Sequence, residues 1–382
     1  MKKLFFFTVI DFENWEKDGV CKKIISQVNV FREEGYDVET CYLLHGDTYI
    51  NSKGVSKFIG HKKGLINKGT LCRYVYDYIL AKNYDVVYIR YGFAEKEFYH
   101  LLKQFRKISK TVILEIATYP YDKEFSVGWD RKVALWLDKL YRNRMKKYID
   151  RVVTFSNDSQ IFGIPAIKIV NGVDFNKIKI RNIKSKDDTI NLIAVASMSR
   201  WHGYDRFLNG LGEYYRSGGK RKVVIHLVGN GEEIPVYKDI VSEYHLSENV
   251  VFYGAKSGEE LDQIYDKCSI AVASLALHRL NVFLASTLKT REYAAKGLPI
   301  ITSSEIDIFP SDKCSFICKF SEDEQNINIE QVINFYDCIY NKSGERETAE
   351  QIRNYARKIC DMDVSMKKVL TFIQEKEQGK NG

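Results

Sequence analysis

Residues 286–299 (STLKTREYAAKGLP) set a lysine and a glutamate, Lys289 and Glu292, one turn apart in a stretch that reads as a helix. Ser286 or Thr287 can cap it, residues 288–296 form its body, Gly297 suits a left-handed stop, and Pro299 starts the next strand. The first turn of a helix offers unpaired N–H groups and partial positive charge, a setting that holds phosphate. A lysine there opposes the dipole, so Lys289 points to an anionic neighbour. Glu292 stands where it accepts hydrogen bonds from ribose hydroxyls. A plainer expectation competes. Glu292 and Lys296 lie at i,i+4 in the favourable order, a surface ion pair contributing about 0.3–0.5 kcal/mol.

Further candidates follow other strand patterns. Arg200 and His202 sit in SRWHGYDR, residues 199–206. Gly229-Asn230-Gly231 is a lone G-x-G, a weak signal by itself. Gly19 stands after the first strand, either as a turn or as a phosphate contact. His278 and Arg279 follow another strand end, as solvated loop residues or functional ones. The eight cysteines form no C-x-x-C pair and read as buried thiols rather than a zinc set.

These residues need elements to position them. Residues 3–10, 38–44, 85–91, 111–116, 151–156 and 167–170 read as strands, with helices over 20–34, 71–81 and 129–148. A polar stretch, 183–189, reads as a linker. Strands at 192–197, 223–229, 250–253, 270–274 and 299–302 then alternate with helices at 204–215, 236–244, 259–267 and up to 296. Helices at 329–340, 346–360 and 364–375 close the chain. Near-continuous apolar strands alternating with helices imply parallel sheets covered on both faces, so the fold class is α/β, with two doubly wound domains. Ligands of such sheets bind beyond the C-terminal strand ends.

Composition bounds the rest. With 382 residues, 45% hydrophobic and 28% charged, the chain suits two ordered globular domains. Residues 4–10 are apolar but too short for a signal core, and no window approaches the roughly 18 apolar residues of a membrane span. A cytoplasmic protein is expected. Of the net charge of +8, roughly +9 lies in residues 1–170 and roughly −1 in the remainder. Lys139, Arg142, Arg144, Lys146, Lys147 and Arg151 form a dense basic run. It is either a solvated helix face or a surface drawn to an anionic membrane or a phosphorylated acceptor. No nucleic-acid motif accompanies it, so nucleic acid is not an expected partner.

The segment LKTREYAAKGLPII resembles its counterpart in retaining GT-B glycosyltransferases, family 4 (group 1) and its relatives. Other matches are collinear: Asp18-Gly19-Val20, Asn171-Gly172-Val173-Asp174, SRWHGYDR at 199–206, LVGNG at 227–231, and Phe252-Tyr253-Gly254 followed by Glu259-Glu260-Leu261. EIATYPYDKE at 115–124 and SLALHR at 274–279 resemble a bacterial surface-polysaccharide branch. The resemblance implies two Rossmann-like domains facing across a cleft. Residues 1–182 would bind acceptor, 183–358 would bind nucleotide sugar, and 359–382 would form a helix crossing back to the first domain. It implies a hexosyltransferase-type enzyme, independent of metal or cofactor. A sugar would move with retention from a nucleoside diphosphate, UDP favoured over GDP, to an acceptor hydroxyl. The setting would be cell-surface polysaccharide or glycoconjugate biosynthesis, with a lipid-linked or glycan acceptor at the inner membrane face and peripheral association with anionic membrane.

Roles follow from the same resemblance. Arg200, Lys289 and Glu292 would carry catalysis, with His278 and Arg279 near the sugar. The donor would also meet Gly19, His202, Gly229, Asn230, Thr287 and the Leu288 amide, with Ala255 and Lys256 flanking its base. Lys22, Arg90, Thr118, Tyr119, Tyr121 and Glu124 would face the acceptor. The sequence also departs from the family. Many members carry a Glu eight positions before the equivalent of Glu292, where this chain has Leu284. His202 replaces the lysine of a lysine-glycine pair, and Thr118 and Tyr119 stand about where a histidine is usual. A sugar-nucleotide epimerase and a non-catalytic GT-B partner subunit are the competing expectations.

Overall fold

The computed structural model describes residues 1–61, 67–122, 129–183, 188–310, 312 and 314–379, with side chains at 67, 68 and 129–131 left aside. Contacts divide the chain into Met1–Ile169 with Ser365–Gly382, and Val170–Val364. The division precedes the polar stretch at 183–189, of which 184–187 lie outside the described residues. Residues 171–182 are tied to the second unit by their own bonds. Phe175 is fully buried there, and Arg181 donates to the Cys268 carbonyl at 3.0 Å.

The first unit is built on β1 (Lys2–Asp11), β2 (Tyr36–Leu44), β3 (Asp47–Ser52), β4 (Val55–Gly60), β5 (Tyr84–Arg90), β6 (Ser109–Ile116), β7 (Arg151–Thr154), β8 (Gln160–Ile161) and β9 (Ile164–Lys168). Their order in the sheet is β4-β3-β2-β1-β5-β6-β7-β9-β8. The strands from β2 to β9 through β1 pair in parallel, as their apolar runs require. Helices α1 (Gly19–Glu33), α2 (Asn67–Ile79), α3 (Lys96–Ile108) and α4 (Trp129–Tyr141) cross between strands. The β3–β4 hairpin and α3 have no counterpart in the sequence reading. The hairpin turns at Lys53 and Gly54, both at positive φ (51° and 83°). Alpha-helix α4 stops at Tyr141 and gives way to a 3-10 turn, Arg142–Lys147, rather than running on to 148.

The second unit carries β10 (Ile190–Val195), β11 (Val223–Val228), β12 (Val250–Gly254), β13 (Ile270–Val272), β14 (Leu284–Ala285), β15 (Ile300–Thr302), β16 (Glu305–Ile306) and β17 (Ile317–Lys319). Its helices are α5 (Tyr204–Arg216), α6 (Ile234–Glu243), α7 (Gly258–Tyr265), α8 (Leu288–Lys296) and α9 (Ile329–Cys360). The main sheet is ordered β12-β11-β10-β13-β15-β17, with every pair parallel. In chain order that is 3-2-1-4-5-6, the doubly wound arrangement of dinucleotide-binding folds. The two helices expected at 329–340 and 346–360 both form, within α9, and meet at Gly344, whose φ of 68° and ψ of 169° are not helical.

The last helix, α10 (Met362–Glu377), returns to the first unit from Ser365 onward. Met366 Sδ receives the Gln27 amide at 3.7 Å, Arg151 lies over the Phe372 ring at 4.6 Å, and Lys2 pairs with Glu377 at 2.5 Å.

Candidate functional site

A doubly wound sheet opens a crevice where its strand order reverses, between loops leaving the C-terminal ends of two neighbouring strands. In the second unit those strands are β10 and β13. The loop after β10 holds Arg200 and His202, and the loop after β13 holds His278 and Arg279. Glycines let these loops touch. At Gly203 (φ 67°) a Cβ would come within 2.6 Å of the Ala276 Cβ, and Leu275 N donates to the His202 carbonyl at 2.7 Å. After β11, a Cβ on Gly229 would lie 1.8 Å from the Ala196 carbonyl oxygen, and one on Gly231 2.0 Å from that of Ser197. The G-x-G is thus required by packing against the β10 loop.

Helix α8 brings its N-terminus to this edge. Thr287 takes the cap position but its side chain accepts no helix amide, and Ser286 donates its hydroxyl to Asp307 at 2.8 Å. The first-turn amides therefore have no side-chain acceptor. Lys289 turns its ammonium inward, where it is buried with no hydrogen-bond or ion-pair partner among the described residues. The Tyr204 ring lies 5.9 Å away. Burial lowers the Lys289 pKa from 10.5 to about 7. His202 stacks on Tyr204 with ring centroids 5.7 Å apart and accepts the Ser199 amide on Nδ1 at 3.0 Å. Burial first, and Lys289 second, lower its pKa to about 3. In the sequence His202 stands where the resembling family has a lysine. The structure makes His202 a neutral ring protonated on Nε2, able to donate a hydrogen bond but not to supply charge. Arg200 is exposed, and its guanidinium has no partner among the described residues.

The competing expectation for α8, a Glu292–Lys296 surface pair, is not what forms. Lys296 is buried and pairs with Asp262 at 2.6 Å. Glu292 is half-buried beside Tyr265, whose hydroxyl is held protonated by burial and then by the Glu292 charge. Asn230 and Ala255 are exposed, and Lys256 pairs with Glu260 at 2.7 Å.

His278 and Arg279 need correction as sugar-facing groups. Arg279 bonds to Glu324 (2.5 Å), to Asp205 (2.8 Å) and to the Arg200 carbonyl (2.6 Å), which engages all of its N–H groups. His278 Nε2 meets the same Glu324 at 2.8 Å. These residues hold the β13 loop to α5. Arg206 does likewise, fully buried and bonded to the carbonyls of Gln325 (2.7 Å), Leu275 and Ser321 (3.1 Å).

The sequence reading also missed Arg291. It is fully buried and pairs with Asp307 at 2.5 Å. Its Nε donates to the Asn171 carbonyl at 2.9 Å, and Asn171 in turn donates to the Ser286 carbonyl at 3.0 Å. Arg291 therefore pins residues 171–174 to the start of α8. An arginine two positions beyond a lysine in a short helix was the available signal, since the two must face apart.

In the first unit, Asp18 caps α1 and accepts the amides of Val20 (2.6 Å) and Cys21 (3.0 Å). A phosphate at Gly19 would meet that carboxylate, which argues against the expected donor contact. Arg90 is buried against Glu115 at 2.7 Å, so it braces the sheet instead of facing an acceptor. Tyr121 is buried with its hydroxyl on Asp138 at 2.6 Å. Lys22 and Thr118 are exposed and Tyr119 is half-buried. Glu124 lies outside the described residues.

Residues 189–323 match the family described as "Glycosyl transferases group 1". No curated protein matches the chain. Sucrose-phosphate synthase from Thermosynechococcus elongatus is similar over 99% of this chain and 100% of its own, with TM-score 0.69 and 12% identity. A glycosyltransferase from Rickettsia africae ESF-5 is similar over 100% and 99%, with TM-score 0.68 and 13% identity. Anabaena HepE in complex with UDP and glucose is similar over 98% and 100%, with TM-score 0.64 and 13% identity. At such identities these likenesses show the shared fold, GT-B with its two Rossmann-like units.

Proposed function

We propose that this chain, a GT-B protein whose residues 189–323 match the group 1 glycosyltransferases, moves a hexose from a nucleoside diphosphate to an acceptor hydroxyl, with retention. One observation carries the reading. Lys289 buries an ammonium that has no hydrogen-bond or ion-pair partner among the described residues, beside a helix N-terminus without a side-chain cap, a cost that an anionic ligand removes. Departure of the diphosphate is the charge-developing step, and cations fixed in place before it stabilise that charge most. We assign this work to Lys289, Arg200 and the first amides of α8, with His202 donating from Nε2, and no metal in the scheme. Glu292 takes the ribose hydroxyls, and residues 229–230 and 255–256 flank the nucleotide. The leaving phosphate oxygen accepts the acceptor's proton on the same face, so no protein nucleophile is needed. HepE's complex with UDP supports UDP as the nucleotide. The acceptor is a glycan or lipid-linked sugar of a surface polysaccharide, met by Lys22, Thr118 and Tyr119.

Calorimetric titration with UDP tests the site. The unaltered chain is expected to bind, and Lys289→Met to bind about 100-fold more weakly. Equal affinity in the two proteins would sink the assignment. A second reading, a non-catalytic subunit, draws on Leu284 and on the engaged donors of Arg279. Sugar transfer by the purified chain alone, absent a partner, excludes it.

A further inference from the structure

The outward face of α4 is unlike any ordinary solvated helix face. Inward, Leu135 packs in the core, and Asp138 is fully buried, accepting from Tyr91, from the Ala94 amide (2.8 Å) and from Tyr121 (2.6 Å). Met145, in the 3-10 turn that follows, is buried too. That anchoring fixes which side is left outside. Outside stand Val133, Trp136 and Leu140, with exposures of 41%, 60% and 44%. The spacing of three and then four residues places them in one stripe. Lys132, Lys139, Arg144 and Lys147 are exposed around the stripe. Lys139 reaches Asp122 at 3.2 Å, while Lys132, Arg144 and Lys147 have no ion-pair partner among the described residues. No described acidic side chain stands on this face of α4 or its 3-10 extension, because Asp138 points inward.

An exposed tryptophan–leucine stripe loses free energy to water, and a rim of cations, three of them without an ion-pair partner among the described residues, resists burial against neutral protein. One environment satisfies both at once: an interface with hydrocarbon below and negative headgroups around the rim. We propose that α4 with residues 142–147 is a membrane-surface anchor that inserts Val133, Trp136 and Leu140 at the headgroup boundary of an anionic bilayer. The inference deepens the proposed transfer reaction, since it would bring the enzyme to a lipid-linked acceptor, but the surface is read from α4 itself. The basic run in the sequence left open whether this was only a solvated face. The apolar stripe inside it decides between the two.

The test is co-sedimentation of the full chain with vesicles of phosphatidylcholine alone and with 3:1 phosphatidylcholine–phosphatidylglycerol, without nucleotide or acceptor. Anionic vesicles are expected to bind, and neutral ones to bind at least about tenfold more weakly. Arg144→Gln with Lys147→Gln is expected to lower partitioning about 25-fold, at about fivefold per cation. Trp136→Ser is expected to lower it about tenfold while leaving the salt dependence in place. Circular dichroism checks that each variant is folded. Equal binding to both vesicles, no binding, or variants that bind like the parent overturns the anchor. So does a dimer that Trp136→Ser breaks, which would make the stripe a contact between copies. Transfer to a soluble acceptor is measured separately, so loss of the anchor and loss of the reaction are told apart.

Discussion

Both units bury cations near the C-terminal ends of their strands, and they treat them in opposite ways. In the first unit Lys23 (3.1 Å) and Arg90 (2.7 Å) close on Glu115, which also accepts from Gln27 (2.6 Å) and Tyr88 (2.6 Å). Burial pushes that carboxyl up, but Lys23 and Arg90 outweigh it and hold the pKa at about 2. In the second unit Lys289 has no such carboxylate among the described residues, and burial alone takes it down to about 7. The first cluster is complete without a ligand and therefore serves the scaffold. The second is incomplete, and incompleteness in a buried charge marks the place where something else binds.

The contrast can be broken at its strongest point first. Glu115→Gln leaves two buried cations uncompensated and is expected to lower unfolding stability by about 3–5 kcal/mol, read from urea denaturation. Lys289→Met is expected to act the other way in the free protein, raising stability by about 1–2 kcal/mol while costing about 2–3 kcal/mol of UDP binding. A variant that lost both stability and affinity would show Lys289 to be scaffold as well. Glu292→Gln, which keeps the shape but not the charge, is expected to weaken UDP about tenfold without altering the melting temperature.

The smallest effect is on pH. Lys289 has a folded pKa of about 7 against 10.5 when unfolded, so the unfolded chain holds more protons between these values. Its burial therefore costs most below about pH 7, and stability recovers as pH rises toward 10.5. Binding UDP favours the charged amine, so affinity is expected to fall above pH 7 with proton uptake at pH 8. Titrations in buffers of different ionisation enthalpy measure that uptake, and Lys289→Met should abolish it. Glu115 runs in the opposite sense, contributing stability at neutral pH that is lost as pH falls toward 2.

Much of the fold was legible because period and length speak for themselves. The apolar runs of β1, β5, β6 and β10 and the glycine stop after α8 all stand close to where the sequence puts them. The hairpin β3–β4 was not legible, since its strands are short and β4 is largely exposed, which blurs the alternation. At the site, Lys289 and Glu292 were visible as residues out of keeping with their helix position. Whether a charged side chain finds a partner was not visible. Arg279 and Arg90 read as available cations and are engaged by Asp205 with Glu324 and by Glu115, partners 25 or more residues distant. Lys296 read as Glu292's partner and goes to Asp262 on α7. Distance along the chain hides these choices, and burial decides them.

The return of α10 to the first unit has a consequence for how the protein is made. Synthesis runs from the N-terminus, so Gln27 and Met366, 339 residues apart, meet through α10 only after the whole of Val170–Val364 has left the ribosome. The second unit is contiguous and can close as soon as it emerges. The first, although begun earlier, is finished last, and a nascent chain stalled before Ser365 would carry one closed unit and one waiting for its final helix.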